Sequence, residues 1–166
     1  NCRLISITRE QCIYEALPKL IDSVDMVWPI APEIDSILQK VTGLVESKKK
    51  VLLNSSSEAV ALCSDKLLNY HLLEKQSIAT IETISLELFS ETISKPWVLK
   101  PKNGVGCLNS YLISTPQIFT QVCSQIYSKA DYIMQPYIKG QSLSLSCLFK
   151  AGKAWLLCCN KQVVSI

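Results

Sequence analysis

The hydrophobic period of this chain changes at Pro96. Before it, apolar residues recur at helical spacing. Residues 10–22 carry Cys12, Ile13, Ala16, Leu17 and Leu20 in that pattern, and residues 35–46 carry Ile37, Leu38, Val41, Leu44 and Val45. Two short apolar runs, Val24–Ile30 stopped by Pro29 and Val51–Leu53, read as strands. Strands alternating with helices predict a parallel α/β layer. After Pro96 the period is two. Trp97–Lys100, Ser110–Ile113 and Tyr132–Gln135 read as strands. Leu143–Phe149 sets Leu143, Leu145, Cys147 and Phe149 against serines, and the turn Ala151-Gly152-Lys153 leads to Trp155–Cys159. This half is predicted to be an antiparallel α+β piece. The seam falls near residues 54–64, giving domains of 1–54 and 55–166.

Local signals place the remaining helices. Ser56 or Ser57 can cap a short helix over Glu58–Cys63, and Ser64 or Asp65 a second one through Glu74. Thr115-Pro116 is a cap followed by a proline at the first helical position. The helix it opens is expected to bury Ile118, Phe119, Val122, Cys123, Ile126 and Tyr127.

Composition removes several function classes. The chain is 48% hydrophobic and 19% charged, enough for a sizeable core. A net charge of +3 does not describe a nucleic-acid binder. Lys48-Lys49-Lys50 reads as a solvated turn before a strand. None of the eight cysteines forms C-x-x-C, and the one histidine is far from any pair, so zinc spacing is absent. Most cysteines fall on apolar faces, where a free thiol behaves as a small hydrophobe, and a reducing compartment is expected. No stretch reaches the length of a membrane span. The chain starts at Asn1 without Met and ends in Val163–Ile166, which reads as mid-strand, so a fragment is expected.

The stretch "PWVLKPKNGVGC", 96–107, points to chemistry. An apolar strand ends in Lys100-Pro101-Lys102 and then passes into Gly104 and Gly106. Glycines bring backbone N–H groups close to an anion, and Lys100 adds a full charge. Charge-assisted hydrogen bonds contribute about 1.5–3 kcal/mol each. Together they suit a polyphosphate. The stretch is neither G-x-x-x-x-G-K-[ST] nor G-x-G-x-x-G opening a helix, so alone it also fits a plain glycine hairpin.

Its neighbours narrow the reading. The order "SDK", "KP…GVG", "MQPYIKG", "SLS" resembles the ATP-grasp family, over about Asp25 to Ile166. Through "WPIAPEIDSIL" and "LLNSSSEAVALCSDK" the chain is most similar to the carboxylate–amine ligases grouped with tyramine–glutamate ligase, which are associated with methanofuran and tetrahydromethanopterin pathways. The fold class implied is α/β: a partial pre-ATP-grasp α/β layer, then an incomplete ATP-grasp α+β unit with an antiparallel sheet.

The resemblance implies roles. Lys66 matches the helix lysine that reaches the phosphates, and Lys100 the K-P lysine of the floor strand. Gly104, Val105 and Gly106 match the lid loop over the triphosphate, whose closure excludes water. Gln135 falls where the family usually has a glutamate near the adenine amino group. Tyr137 and Ile138 match the hinge whose backbone pairs with adenine. Ser142 stands where many members use a glutamate on the ribose, so charge assistance is missing there. The family binds Mg²⁺ through acidic residues and an Asn late in the domain. No Asp or Glu follows Ile138, so those ligands are expected beyond Ile166.

Other residues take plainer readings. His71 reads as a helix-surface histidine, and Glu33 as a first-turn carboxylate rather than a substrate contact. Trp28, Trp97 and Trp155 read as packing residues. Asn160 and Lys161 are weak candidates for substrate or phosphate contact.

The expected function is ATP-dependent carboxylate–amine ligation with ADP release through an acyl phosphate, or a fragment of such an enzyme. The cofactors implied are ATP and Mg²⁺. The partners implied are small carboxylate and amine substrates and a homodimer, with no nucleic acid or membrane, in the cytoplasm. The alternatives are a non-catalytic nucleotide-binding module and a purely structural α/β protein.

Overall fold

The computed structural model describes residues 4–7, 13–90 and 92–163. Cys2, Cys12 and the last three residues lie outside this set. The chain forms two compact units, Asn1–Pro136 and Tyr137–Ile166.

The first unit opens with helix α1, Ile13–Asp22. Strand β1, Met26–Val27, pairs in parallel with β2, Val51–Leu52. The apolar run 24–30 yields only these two rungs, because Pro29 has no N–H to give a ladder. A 3-10 turn, Ile34–Ser36, leads into α2, Ile37–Ser47, which buries Leu38, Val41, Thr42 and Val45. The lysine triplet is a surface turn: Lys48 pairs with Asp22 at 2.7 Å, and Lys50 Nζ donates to the Asp22 carbonyl.

Helix α3 spans Ser57–Ser64 under a Ser56 cap, and α4 spans Lys66–Lys75 under Asp65. Strands β3 (Ile84–Ser85), β4 (Trp97–Pro101), β5 (Tyr111–Ile113) and β6 (Tyr132–Pro136) form an antiparallel sheet ordered β3-β6-β4-β5. Between β5 and β6 lies α5, Pro116–Cys123, with Thr115 accepting from the Ile118 N–H.

The two faces of this sheet differ. Trp97 pairs with Ile113, and Leu99 with Tyr111 and Met134. Paired residues point to one face, and these pack with Val122, Phe119 and Leu86 into the core. Phe89 meets Trp97 edge-on at 4.9 Å. The other face carries Val98 opposite Gln135 and Lys100 opposite Ile133.

Several expectations are corrected here. Helix α5 stops at Cys123, so Tyr127 falls beyond it and is fully exposed, and of the helix only Val122 is buried. Trp97 is buried, but Trp28 is 71% exposed and Trp155 is also exposed. No described cysteine is buried: Cys63, Cys107, Cys158 and Cys159 are exposed, Cys123 and Cys147 intermediate.

The second unit is a hairpin of β7, Leu143–Lys150, and β8, Lys153–Lys161. A bulge at Ser146/Cys147 shifts the register. Its alternating apolar residues are not core: Leu145 and Phe149 are exposed. A lone two-stranded ribbon has no third layer to bury them.

Among the described residues, no helix is long and apolar enough to cross a membrane.

Candidate functional site

The glycine loop closes one side of a cleft of about 240 Å³ in the first unit. Lys66, Lys100, Gly104, Val105 and Gly106 all line it, with Asn103, Cys107 and Ser110 among their neighbours. Two elements aim the lysines. Lys100 sits near the end of β4, on the face opposite Leu99. Lys66 is the first residue of α4, where the helix dipole disfavours a cation. Asp65, capping that helix through the N–H groups of Leu67 and Leu68, sets a negative charge beside it.

Lys66 is tied to the loop. Its N–H donates to the Lys102 carbonyl at 3.0 Å. Its ammonium donates to the carbonyls of Lys102 at 3.3 Å and Gly104 at 3.1 Å. Lys100 Nζ makes no hydrogen bond or ion pair with any described residue. Burial lowers both lysines from the ordinary value of 10.5. The Lys66 charge lowers Lys100 further, whereas Asp65 and Glu33 oppose the shift at Lys66.

The loop backbone is open. Gly104 has φ +132° and Gly106 φ +69°, conformations that favour glycine. Cys107 and Asn109 are also left-handed, at φ 58° and 54°. The amides of Asn103 to Cys107 donate to no described residue. Two cations and a loop whose N–H groups are unspent therefore border one space, a composition suited to an anion with several oxygens.

Gln135 lies on the same sheet face as Lys100, two residues along the ladder, or about 7 Å. Its amide donates to Thr83 Oγ1 at 2.8 Å. Tyr137, Ile138 and Ser142 belong to the second unit. Tyr137 and Ile138 are exposed, and their backbone groups make no hydrogen bond with described residues. The Ser142 carbonyl accepts from the Gln162 N–H at 2.9 Å. Asn160 is occupied inside the hairpin, donating to Ser146 Oγ at 3.0 Å.

Sequence reasoning missed three contributors. Cys107 and Ser110 line the cleft, and Thr83 holds Gln135. Nothing local marks Thr83, whose partner is 52 residues away. Glu33 also differs from its expected role. It makes no capping bond, and its charge acts on Lys66. His71 is a surface residue of α4, near Glu74.

Fold and cleft together define an α+β scaffold with a lysine-lined cleft beside a glycine loop, and sequence comparison gives it a family. A pre ATP-grasp 3 domain matches residues 1–60, and an ATP-grasp domain matches residues 63–166. The chain belongs to the ATP-grasp family. It is 25% identical, over 99% of its length, to a tyramine–L-glutamate ligase of Methanocaldococcus fervens, and 26% identical to that of Methanocaldococcus jannaschii. It spans 48% and 46% of those two proteins, about half their length. The fold matches an ATP-grasp superfamily protein from Archaeoglobus fulgidus (TM-score 0.66, 23% identity, 92% of this chain and 42% of that one). It also matches the D-alanine–D-alanine ligase of Bacillus anthracis complexed with ATP (TM-score 0.67, 16% identity, 99% and 60%).

Proposed function

We propose that this chain binds ATP as the nucleotide-holding part of a carboxylate–amine ligase. The observation that carries the reading is the convergence of Lys66 and Lys100 on a glycine loop with unspent amides. In this reading residues 1–54 are the pre-ATP-grasp part and residues 55–166 the ATP-grasp part. Lys66, Lys100, Gly104, Val105 and Gly106 hold the triphosphate. Gln135 faces the adenine amino group, the backbone of Tyr137 and Ile138 pairs with the ring, and Ser142 meets the ribose.

The chemistry has two steps. A substrate carboxylate oxygen attacks the γ-phosphorus, giving an acyl phosphate and ADP. An amine then attacks the acyl carbon, and phosphate leaves with the C–O electron pair. The protein positions the reactants and neutralises charge, and none of its side chains has to act as a nucleophile. Partners are ATP and small carboxylate and amine substrates, with a second copy of the chain as the macromolecular partner the reading admits. Free thiols at every described cysteine support a reducing, cytoplasmic setting.

Mg²⁺ is implied by the family, but the residues present do not fit it. The cleft is lined by lysines and amides and has no carboxylate in its wall. No group of three or more His, Cys, Asp or Glu among the described residues is arranged to hold a metal. The ligands are proposed to follow Ile166, and no step here runs through the ion. The same donor set favours a second reading, a nucleotide-binding module without turnover.

ATP affinity and ADP release separate these readings, measured on this chain and on one extended past Ile166. Binding by both with turnover only by the longer supports the ligase reading. Binding by both with turnover by neither supports the module. Lys100→Ala is expected to weaken ATP binding about ten- to hundredfold. Unchanged affinity would leave a structural loop and no site.

A further inference from the structure

Gln135 is 8% exposed and Thr83 4%, so their contact is shielded from water. Its direction is fixed by proton count. The Thr83 hydroxyl donates to the Ile81 carbonyl at 3.0 Å. A hydroxyl has one proton, and a carbonyl can only accept. Thr83 can therefore offer Gln135 only a lone pair, and only the NH₂ end of the amide can take it. The relay runs one way, from Gln135 Nε2–H to Thr83 Oγ1–H to the Ile81 oxygen.

The other end of the amide is thereby set. Oε1 accepts from no described residue, and it is not a sealed orphan. The one fully buried unpaired side-chain polar atom among the described residues is Trp97 Nε1. Oε1 keeps an opening to solvent from a side chain on the Lys100 face of the sheet. A nine-tenths buried amide that shows one free acceptor outward is a recognition element for a donor.

We infer that Thr83 is a positioning residue: it locks Gln135 with its oxygen outward, so that the site selects a purine carrying an amino group at position 6 over one carrying a carbonyl oxygen there. This rests on the nucleotide reading above. An amino group gives Oε1 a hydrogen bond. A 6-carbonyl sets lone pair against lone pair, and the amide cannot turn over to relieve it without breaking the bond to Thr83.

ATP and ITP differ at position 6 and test this directly. Affinities for both are measured for the wild-type chain, Thr83→Val and Thr83→Ser. The wild type is expected to favour ATP about tenfold, one hydrogen bond's worth. Thr83→Val, close in shape but without the hydroxyl, should bring the two within about twofold, and Thr83→Ser should restore the preference. In parallel, NMR of the ligand-free chain should show the Gln135 side-chain NH₂ exchanging slowly with water, and faster in Thr83→Val. Equal binding of ATP and ITP by the wild type overturns the selectivity and leaves the nucleotide reading standing. Retained preference in Thr83→Val, or unprotected Gln135 protons in the wild type, overturns the role of Thr83. Protected protons with no binding of either nucleotide overturn the nucleotide reading, and the selectivity falls with it.

Discussion

The Lys66 ammonium donates to the Gly104 carbonyl oxygen at 3.1 Å, so the first residue of α4 holds the glycine loop in place. In the proposed reading, phosphate oxygens entering the cleft compete with that carbonyl and with the carbonyl of Lys102. The cation that would grip the ligand also organises the loop.

Lys66→Met removes this tether. Without ligand, backbone NMR order parameters across residues 103–108 are expected to fall from the rigid range, about 0.85, toward the flexible range, below about 0.6. Order parameters in β4 should stay as they were. An unchanged loop would mean that its shape is held by the backbone alone.

Lys100 couples stability to pH. Burial, and then the Lys66 charge, lower its pKa from 10.5 in the folded chain. Between that lowered value and 10.5 the unfolded chain carries more protons than the folded one, so this residue makes stability rise with pH across that window. Lys100→Met removes the ionisation. It is expected to melt roughly 1–2 °C above the wild type at neutral pH, a shift kept small by partial exposure. The gap should close above 10.5. Tyr70 and Tyr132, both raised, bias the two variants alike, so comparing melting curves cancels them. A variant that melts lower than the wild type at neutral pH would contradict this account.

Gly104 and Gly140 make a matched pair. A Cβ at Gly104 would meet Pro101 Cβ at 4.0 Å, an ordinary contact, but φ is +132°. Gly104→Ala is therefore expected to destabilise by about 1–3 kcal/mol through backbone strain, read in urea melts. Gly140 has open space and no positive φ, so Gly140→Ala should be neutral or slightly stabilising. Equal effects at both sites would rule out strain as the cause.

Gln135→Glu would install the residue that the family resemblance leads one to expect. An ionised carboxylate has no proton for Thr83, whose own proton is committed to Ile81. Rewiring the pair is expected to cost about 1–3 kcal/mol at neutral pH. Protonation restores a donor, so the folded state would bind a proton more tightly than the unfolded one. The loss should shrink as pH falls, the opposite trend to Lys100, and denaturant titrations at two pH values would show it.

What could be read in advance was local. Asp65 caps α4, and Thr115-Pro116 opens α5, because a cap is decided within four residues. The strands on either side of the glycine loop followed from their period, and motif order singled out Lys66 and Lys100, which line one cleft. What failed depends on distant cover. Trp28, Trp97 and Trp155 look alike in sequence, yet only Trp97 lies under Phe89 in the core. Tyr127 continues the apolar stripe of α5 but falls after the helix has stopped. Thr83 was invisible because its meaning comes from a side-chain hydrogen bond with Gln135 of β6.

The rung joining Val98 to Gln135 lies one step of the same face from the rung joining Lys100 to Ile133. Trp97 and Leu99 plug the opposite side, and a slip by a single residue would drag them into water. The span from acceptor to cation is thus a fixed gauge cut into hydrogen-bonded backbone. In the proposed reading, changes in the glycine loop alter how firmly a ligand's charged tail is clasped, while the length of ligand that fits between the two marks stays constant.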